Sequence, residues 1–189
     1  LTADVDPPTS ELTLGHYAIL GVLRARPTHG YEIAQRFGDN TDLSLVLPLD
    51  RNSVYTLLKD LDSQGLIQGR REVIGLRPVR TVFSLTSDAR TRFLAWATEP
   101  VERLRELRSA FLLKLYFCRE LGAEPSARLL DAQVQTTRAY LEDVSQLMRA
   151  SQLGSFTQSV YSSKLGAAEA ALAWLLEESA HLSEVISVS

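Results

Sequence analysis

The chain has one cysteine, Cys118, and three histidines, His16, His29 and His181. A single thiol permits no internal disulfide and no cysteine-based zinc cage, so a reducing, cytoplasmic setting is the expectation. The histidines form no i, i+4 pair and have no cysteine at ligand spacing, so neither a metal nor another cofactor is expected. No apolar run approaches the roughly 18–20 residues of a membrane span. The first residues also lack the basic, apolar, small-residue order of a signal peptide, which predicts a soluble chain with no membrane partner. Catalytic strings are missing too: there is no G-x-S-x-G turn, P-loop or H-E-x-x-H, and Gly15 and Gly21 fall inside a helical pattern. A protein that is not an enzyme is expected. Excess positive charge is also absent, since 20 Lys+Arg face 23 Asp+Glu for a net charge of -3, and whole-chain electrostatics do not suggest nucleic acid.

What is present suffices for a packed core: 189 residues with 45% hydrophobic content fit one ordinary domain or two small ones. Residues 1–12, rich in Asp, Pro, Thr and Ser, read as a flexible arm. From Leu14 to Ala25 the apolar spacing is helical, with Thr13 placed as cap and Pro27 as stop. Thr28 stands ready to cap a second helix, His29 to Phe37, and residues 41–48 read as an extended connector. The third helix carries the clearest pattern, Val54, Leu57, Leu58 and Leu61 at i, i+3, i+4 and i+7, bounded by Asp50 or Asn52 and by Gly65. Its opposite face collects Asn52, Thr56, Lys59 and Ser63, flanked by Ser53 and Tyr55. Two β-like runs, Leu66 to Ile74 and Val79 to Leu85, are joined by the turn-prone Gly75-Leu76-Arg77-Pro78. Thr86 and Ser87 then cap a helix from Asp88 to Thr98.

Three helices followed by a two-stranded hairpin is the order of a winged helix-turn-helix. After Pro100 come three long helical patterns, Val101 to Leu121, Ser126 to Leu153 and Phe156 to Ile186, with Gly122 and Pro125 separating the first two. The middle one repeats Leu130, Val134, Thr137, Leu141, Val144 and Met148 in steps of four and three, a heptad seam that wants a partner helix from this chain or another subunit. The expected fold is therefore mainly α: a winged helix-turn-helix domain over residues 13–98, with three helices and a two-stranded β-wing, then a long-helix dimerisation domain over residues 101–189.

A winged helix reads DNA by laying its third helix in the major groove while the hairpin holds phosphates. Asn52, Ser53 and Thr56 have the reach of base readers, Tyr55 offers a hydroxyl or a ring face, and Lys59 can neutralise a phosphate. Between Gln68 and Arg92 the chain places Arg70, Arg71, Arg77, Arg80, Arg90 and Arg92 against only Glu72 and Asp88, locally net +4. The candidate DNA-binding set is Tyr31, Arg51, Asn52, Ser53, Tyr55, Thr56, Lys59, Arg70, Arg71, Arg77 and Arg80. Asp60 and Asp62, in the second half of the third helix, count against that reading. They favour an alternative in which the winged helix is a protein–protein interaction module without specific DNA binding. A small enzyme built on the helical half is the other alternative, suggested only by its size.

The residues also resemble a family, the PadR-like transcriptional regulators. LTLGHYAILGVLRARPTHGYEIAQRF is similar to that family's opening helices, SVYTLLKDLDSQGLI to its recognition helix, and RPVRTVFSLTSDAR to its wing and second strand. Phe83 stands where the family often has Tyr, and Ala89 where a Gly is common. FLLKLYFCREL and KLGAAEAALAWLLEESAHL resemble the longer subgroup, in which this region forms the dimer interface. The resemblance implies a homodimer that binds double-stranded DNA at an inverted repeat, a repressor responsive to a small aromatic effector. Leu107, Phe111, Leu115, Leu130, Val134, Leu141, Val144, Leu172 and Leu175 are the candidate dimerisation residues, and Trp96 and Trp174 the candidate effector contacts. Cys118 reads as a small buried apolar residue.

Overall fold

The computed structural model describes residues 11–72 and 80–188, with side chains to Glu184. Most of the expected arm (residues 1–10) and the hairpin tip, with Arg77, lie outside the described residues. The chain divides into two compact units, residues 1–93 and 94–189.

In the first unit, α1 (Leu14–Ala25) starts at Thr13, whose backbone N–H donates to His16 Nδ1 at 3.0 Å. Histidine thus fills the third-position role usually held by Glu or Gln in a capping box. Ala18, Ile19, Leu20 and Leu23 form the buried face of α1. Thr28 does not cap the next helix. It belongs to a two-residue strand, β1 (Thr28–His29), because its extended backbone pairs with Phe83, and its Oγ1 donates to Arg26 O at 2.9 Å. Helix α2 is accordingly shorter than expected, Gly30–Gln35. The connector is not extended either. Reciprocal bonds between Thr41 and Ser44, each backbone N–H donating to the other's hydroxyl at 3.2 Å, start a short helix, α3 (Asp42–Val46), which buries Leu43. Local capping here outweighs the β-like Leu and Val composition.

The expected third helix is α4 (Arg51–Ser63). Asp50 is its cap, accepting from the Ser53 N–H at 2.6 Å, and Val54, Leu58 and Leu61 are its buried stripe. Gly65, at φ +68°, lets the Leu66 N–H reach back to Leu61 O and end the helix. Strands β2 (Ile67–Glu72) and β3 (Arg80–Leu85) pair antiparallel from Ile67↔Leu85 to Glu72↔Arg80. With β1 added on the far side of β3, the wing becomes a three-stranded sheet in the order β1-β3-β2. Helix α5 (Ser87–Thr98) follows, its Ala89 N–H donating to Thr86 Oγ1.

In the second unit, the expected helix from Val101 to Leu121 is broken. Val101 is pinned by the Gln133 amide, which accepts from its N–H at 2.8 Å and donates to its carbonyl at 3.0 Å. A 3-10 turn (Leu104–Arg108) follows, and only then does α6 (Ala110–Leu121) begin. Helix α7 (Ala123–Ala150) starts before Pro125. Pro125 is its third residue, where the missing N–H would have had no intrahelical acceptor, so the separation falls at Gly122 alone, at φ +129°. Helix α8 (Phe156–Val188) packs against α7, so the heptad seam finds its partner helix within the chain.

Candidate nucleic-acid interface

Two close approaches set α4 in place. A Cβ at Gly15 would meet Leu57 Cδ1 at 2.9 Å, and one at Gly30 would meet Tyr55 Cε1 at 2.9 Å and Phe83 Cε2 at 3.4 Å. A side chain at either glycine would push the Leu57 or Tyr55 side chain aside. Tyr55 is thereby wedged between α2 and the wing while remaining 41% exposed.

The outer face of α4 presents Arg51, Asn52, Tyr55, Thr56 and Lys59, all exposed. Asn52 has no side-chain partner among the described residues, whereas the Thr56 hydroxyl donates to Asn52 O at 3.0 Å and keeps only acceptor capacity free. Ser53 is half-buried and turned to the cap: hydrogen bonds from its backbone and side chain hold the Asp50 carboxyl below its usual range. The Arg51 guanidinium stands 5.8 Å from the Tyr55 ring centroid.

The neighbouring wing arginines point different ways, because successive strand residues face opposite sides. Arg71 shares a groove of about 360 Å³ with Tyr55 and Lys59, floored by Gly69, Thr81 and Phe83, and has no carboxylate partner among the described residues. Arg70 faces away and is paired with Glu72 at 2.7 Å. Arg80 stacks over Tyr31 at 5.3 Å, and Tyr31 is itself stacked with His29 at 5.8 Å. Tyr31 and Arg51 both border a second groove, of about 870 Å³, beside the start of α4. The structure therefore gathers Arg51, Asn52, Tyr55, Thr56, Lys59 and Arg71 on one exposed side, puts Arg80 on Tyr31, and leaves Arg70 and Ser53 otherwise engaged. Gly30, His29 and Glu72 escaped the sequence reading, although the His-Gly-Tyr string was a pointer to the first two.

Asp60 and Asp62 are both occupied. His16 Nε2 lies 2.8 Å from Asp60 Oδ2, and Asp62 Oδ1 accepts from the Gly69 N–H at 3.3 Å.

In the second unit, Leu107, Phe111, Leu115, Leu130, Val134, Val144 and Leu175 are buried within a single chain, and Leu141 and Leu172 are half-buried. Among the described residues, the large apolar side chains left exposed in α7, α8 and their connection are Leu147, Leu153, Phe156 and Leu176. Trp96 lies under the Lys114 ammonium at 4.8 Å. Trp174 packs edge-on against Phe111 and lines a trough of about 730 Å³ together with Leu104, Leu112, Arg105 and Arg108. Among the described residues no acidic or histidine cluster is suited to a metal ion, and no helix is long and apolar enough to cross a membrane.

Residues 19–94 match the family described as transcriptional regulator PadR-like, and residues 107–183 match the virulence activator alpha C-terminal family. A curated relative, the negative transcriptional regulator PadR of Bacillus subtilis (strain 168), is 27% identical over 128 residues, covering 68% of this chain and 69% of the relative. The crystal structure of Bacillus subtilis PadR in complex with operator DNA is 24% identical with a TM-score of 0.44, covering 90% of this chain and 99% of that one. The same protein in complex with p-coumaric acid is 23% identical with a TM-score of 0.42, over the same shares.

Proposed function

We propose, from the match of residues 19–94 to the PadR-like family of transcriptional regulators, that this chain is a ligand-responsive repressor that binds an inverted-repeat operator as a homodimer. The observation that carries the DNA-reading part is the exposed side of α4, where Asn52, with no side-chain partner among the described residues, shares a helix face with Lys59, which borders one groove with Arg71. Asn is suited to adenine edges and the two cations to phosphates. The sign of regulation follows the B. subtilis relative, a negative regulator. Residues 13–98 would read DNA and residues 101–189 would dimerise, with the two-fold axis of the dimer imposing symmetry on the operator. The trough beside Trp174 suits a small aromatic effector. A cytoplasmic regulator without catalytic activity completes the reading.

Selection of binding sites from a randomised duplex library, followed by titration of the recovered site at several salt concentrations, tests it. A palindromic site with steep salt dependence is expected, and p-coumaric acid is the first effector probe. Failure to enrich any site would favour the interaction-module alternative.

A further inference from the structure

The two carboxylates of α4 that speak against DNA binding are placed too regularly to be incidental. At about 100° per residue, Asp60 and Asp62 stand about 80° to either side of the face defined by Asn52, Thr56 and Lys59. Each reaches a different neighbour. Asp60 meets His16 of α1, whose Nδ1 accepts from the Thr13 N–H and whose buried Nε2 lies 2.8 Å from the carboxylate, a close polar contact without the alignment of a hydrogen bond. Asp62 reaches β2, where the Gly69 N–H donates to it at 3.3 Å.

We infer that Asp60 and Asp62 are positioning residues that fix the roll of α4 about its axis, and so set which bases the exposed face can read. The inference rests on the DNA-reading role of α4. Its physical basis is directional. The buried stripe of Val54, Leu58 and Leu61 holds α4 to the core, but apolar burial has little preference for angle. Base contacts need side chains held to within about 0.5 Å and 10–20°. Two polar tethers on opposite flanks, one to a helix and one to a strand, resist rotation in both senses. Asp60 lies at the edge of the reading face, whereas Asp62 also lines the groove that holds Lys59 and Arg71.

The test compares Asp60→Ala and Asp62→Ala with Asp60→Asn and Asp62→Asn, measuring affinity for the library-selected site and for a random duplex. Both substitutions remove the charge, but asparagine keeps an oxygen to face His16 or to accept from Gly69. All four variants should bind random DNA somewhat more tightly. The alanine variants should lose about tenfold in discrimination, the scale of one mismatched base pair, while the asparagine variants retain it. Equal behaviour of alanine and asparagine variants would overturn the inference, leaving only a charge effect, as would alanine variants that discriminate like the wild type. A wild type that selects no site would instead overturn the DNA-reading role itself. Asp62 is exposed and the Asp60 side chain is 44% exposed, so truncation spares the core, and either position alone carries the test if the other variant does not fold.

Discussion

Lys114 Nζ donates to Trp96 O at 2.6 Å and to Glu99 O at 2.9 Å, from a side chain that is only 4% exposed. One turn on, Cys118 Sγ lies 3.3 Å from Ala97 O, so α6 supplies the donors for the last carbonyls of α5. Burial pushes the Lys114 pKa down, opposed by the attraction of Glu99. Between that lowered value and the unfolded value of 10.5 the unfolded chain binds more protons, so stability should rise with pH through this alkaline window. Lys114→Met removes the charge and both hydrogen bonds. At neutral pH it should cost about 1–2 kcal/mol. Urea unfolding from neutral pH upward should show the wild type gaining on the variant as the pH climbs.

Gly30→Ala tests the seat of Tyr55. The added methyl would sit 2.9 Å from Tyr55 Cε1 and 3.4 Å from Phe83, so the ring must move or α4 must shift. Overpacking of this kind costs roughly 1–3 kcal/mol. Because Tyr55 sits on the reading face, discrimination between the selected site and random DNA should fall with stability. Tyr55→Phe keeps the wedge and serves as control, and should leave the melting temperature nearly unchanged.

These two positions show where the sequence was legible and where it was not. Helices α1 and α4 could be read because their apolar spacing and caps are local, with Thr13 and Asp50 adjoining the helices they start. Strand β1 could not, since Thr28 becomes a strand only by pairing with Phe83, 55 residues away in the chain. The break after Val101 likewise depends on Gln133. In the site, the polar face of α4 followed from periodicity alone. The division of labour between Arg70 and Arg71 needed the strand register, and the contacts of Asp60 and Asp62 could not be read because His16 and Gly69 lie on other elements.

The wing makes a graded prediction. Arg71 shares a groove with Lys59, whereas Arg70 is paired with Glu72, which also stands in register with Arg80. Each phosphate contact contributes about one unit to the slope of log affinity against log salt. Lys59→Ala and Arg71→Ala should each flatten the slope by about that amount, and Arg70→Ala by less. Glu72→Gln should steepen it by freeing Arg70. Equal effects for Arg70→Ala and Arg71→Ala would remove the distinction between the two faces of β2.

Asn52 is the sharpest test of base reading. It lies in the first turn of α4, exposed, with its amide unpartnered among the described residues while the Thr56 hydroxyl is spent on the Asn52 carbonyl. An amide can both accept and donate, which matches the N7 and N6 pattern of adenine in the major groove. Asn52→Ala should leave stability and the affinity for random DNA almost unchanged, because none of the described residues bonds to this side chain. Affinity for the selected site should fall by about 1–3 kcal/mol, with preference lost at one position in each half-site. Repeating the library selection with the variant locates that position, and a parallel loss on selected and random DNA would assign Asn52 to the backbone instead.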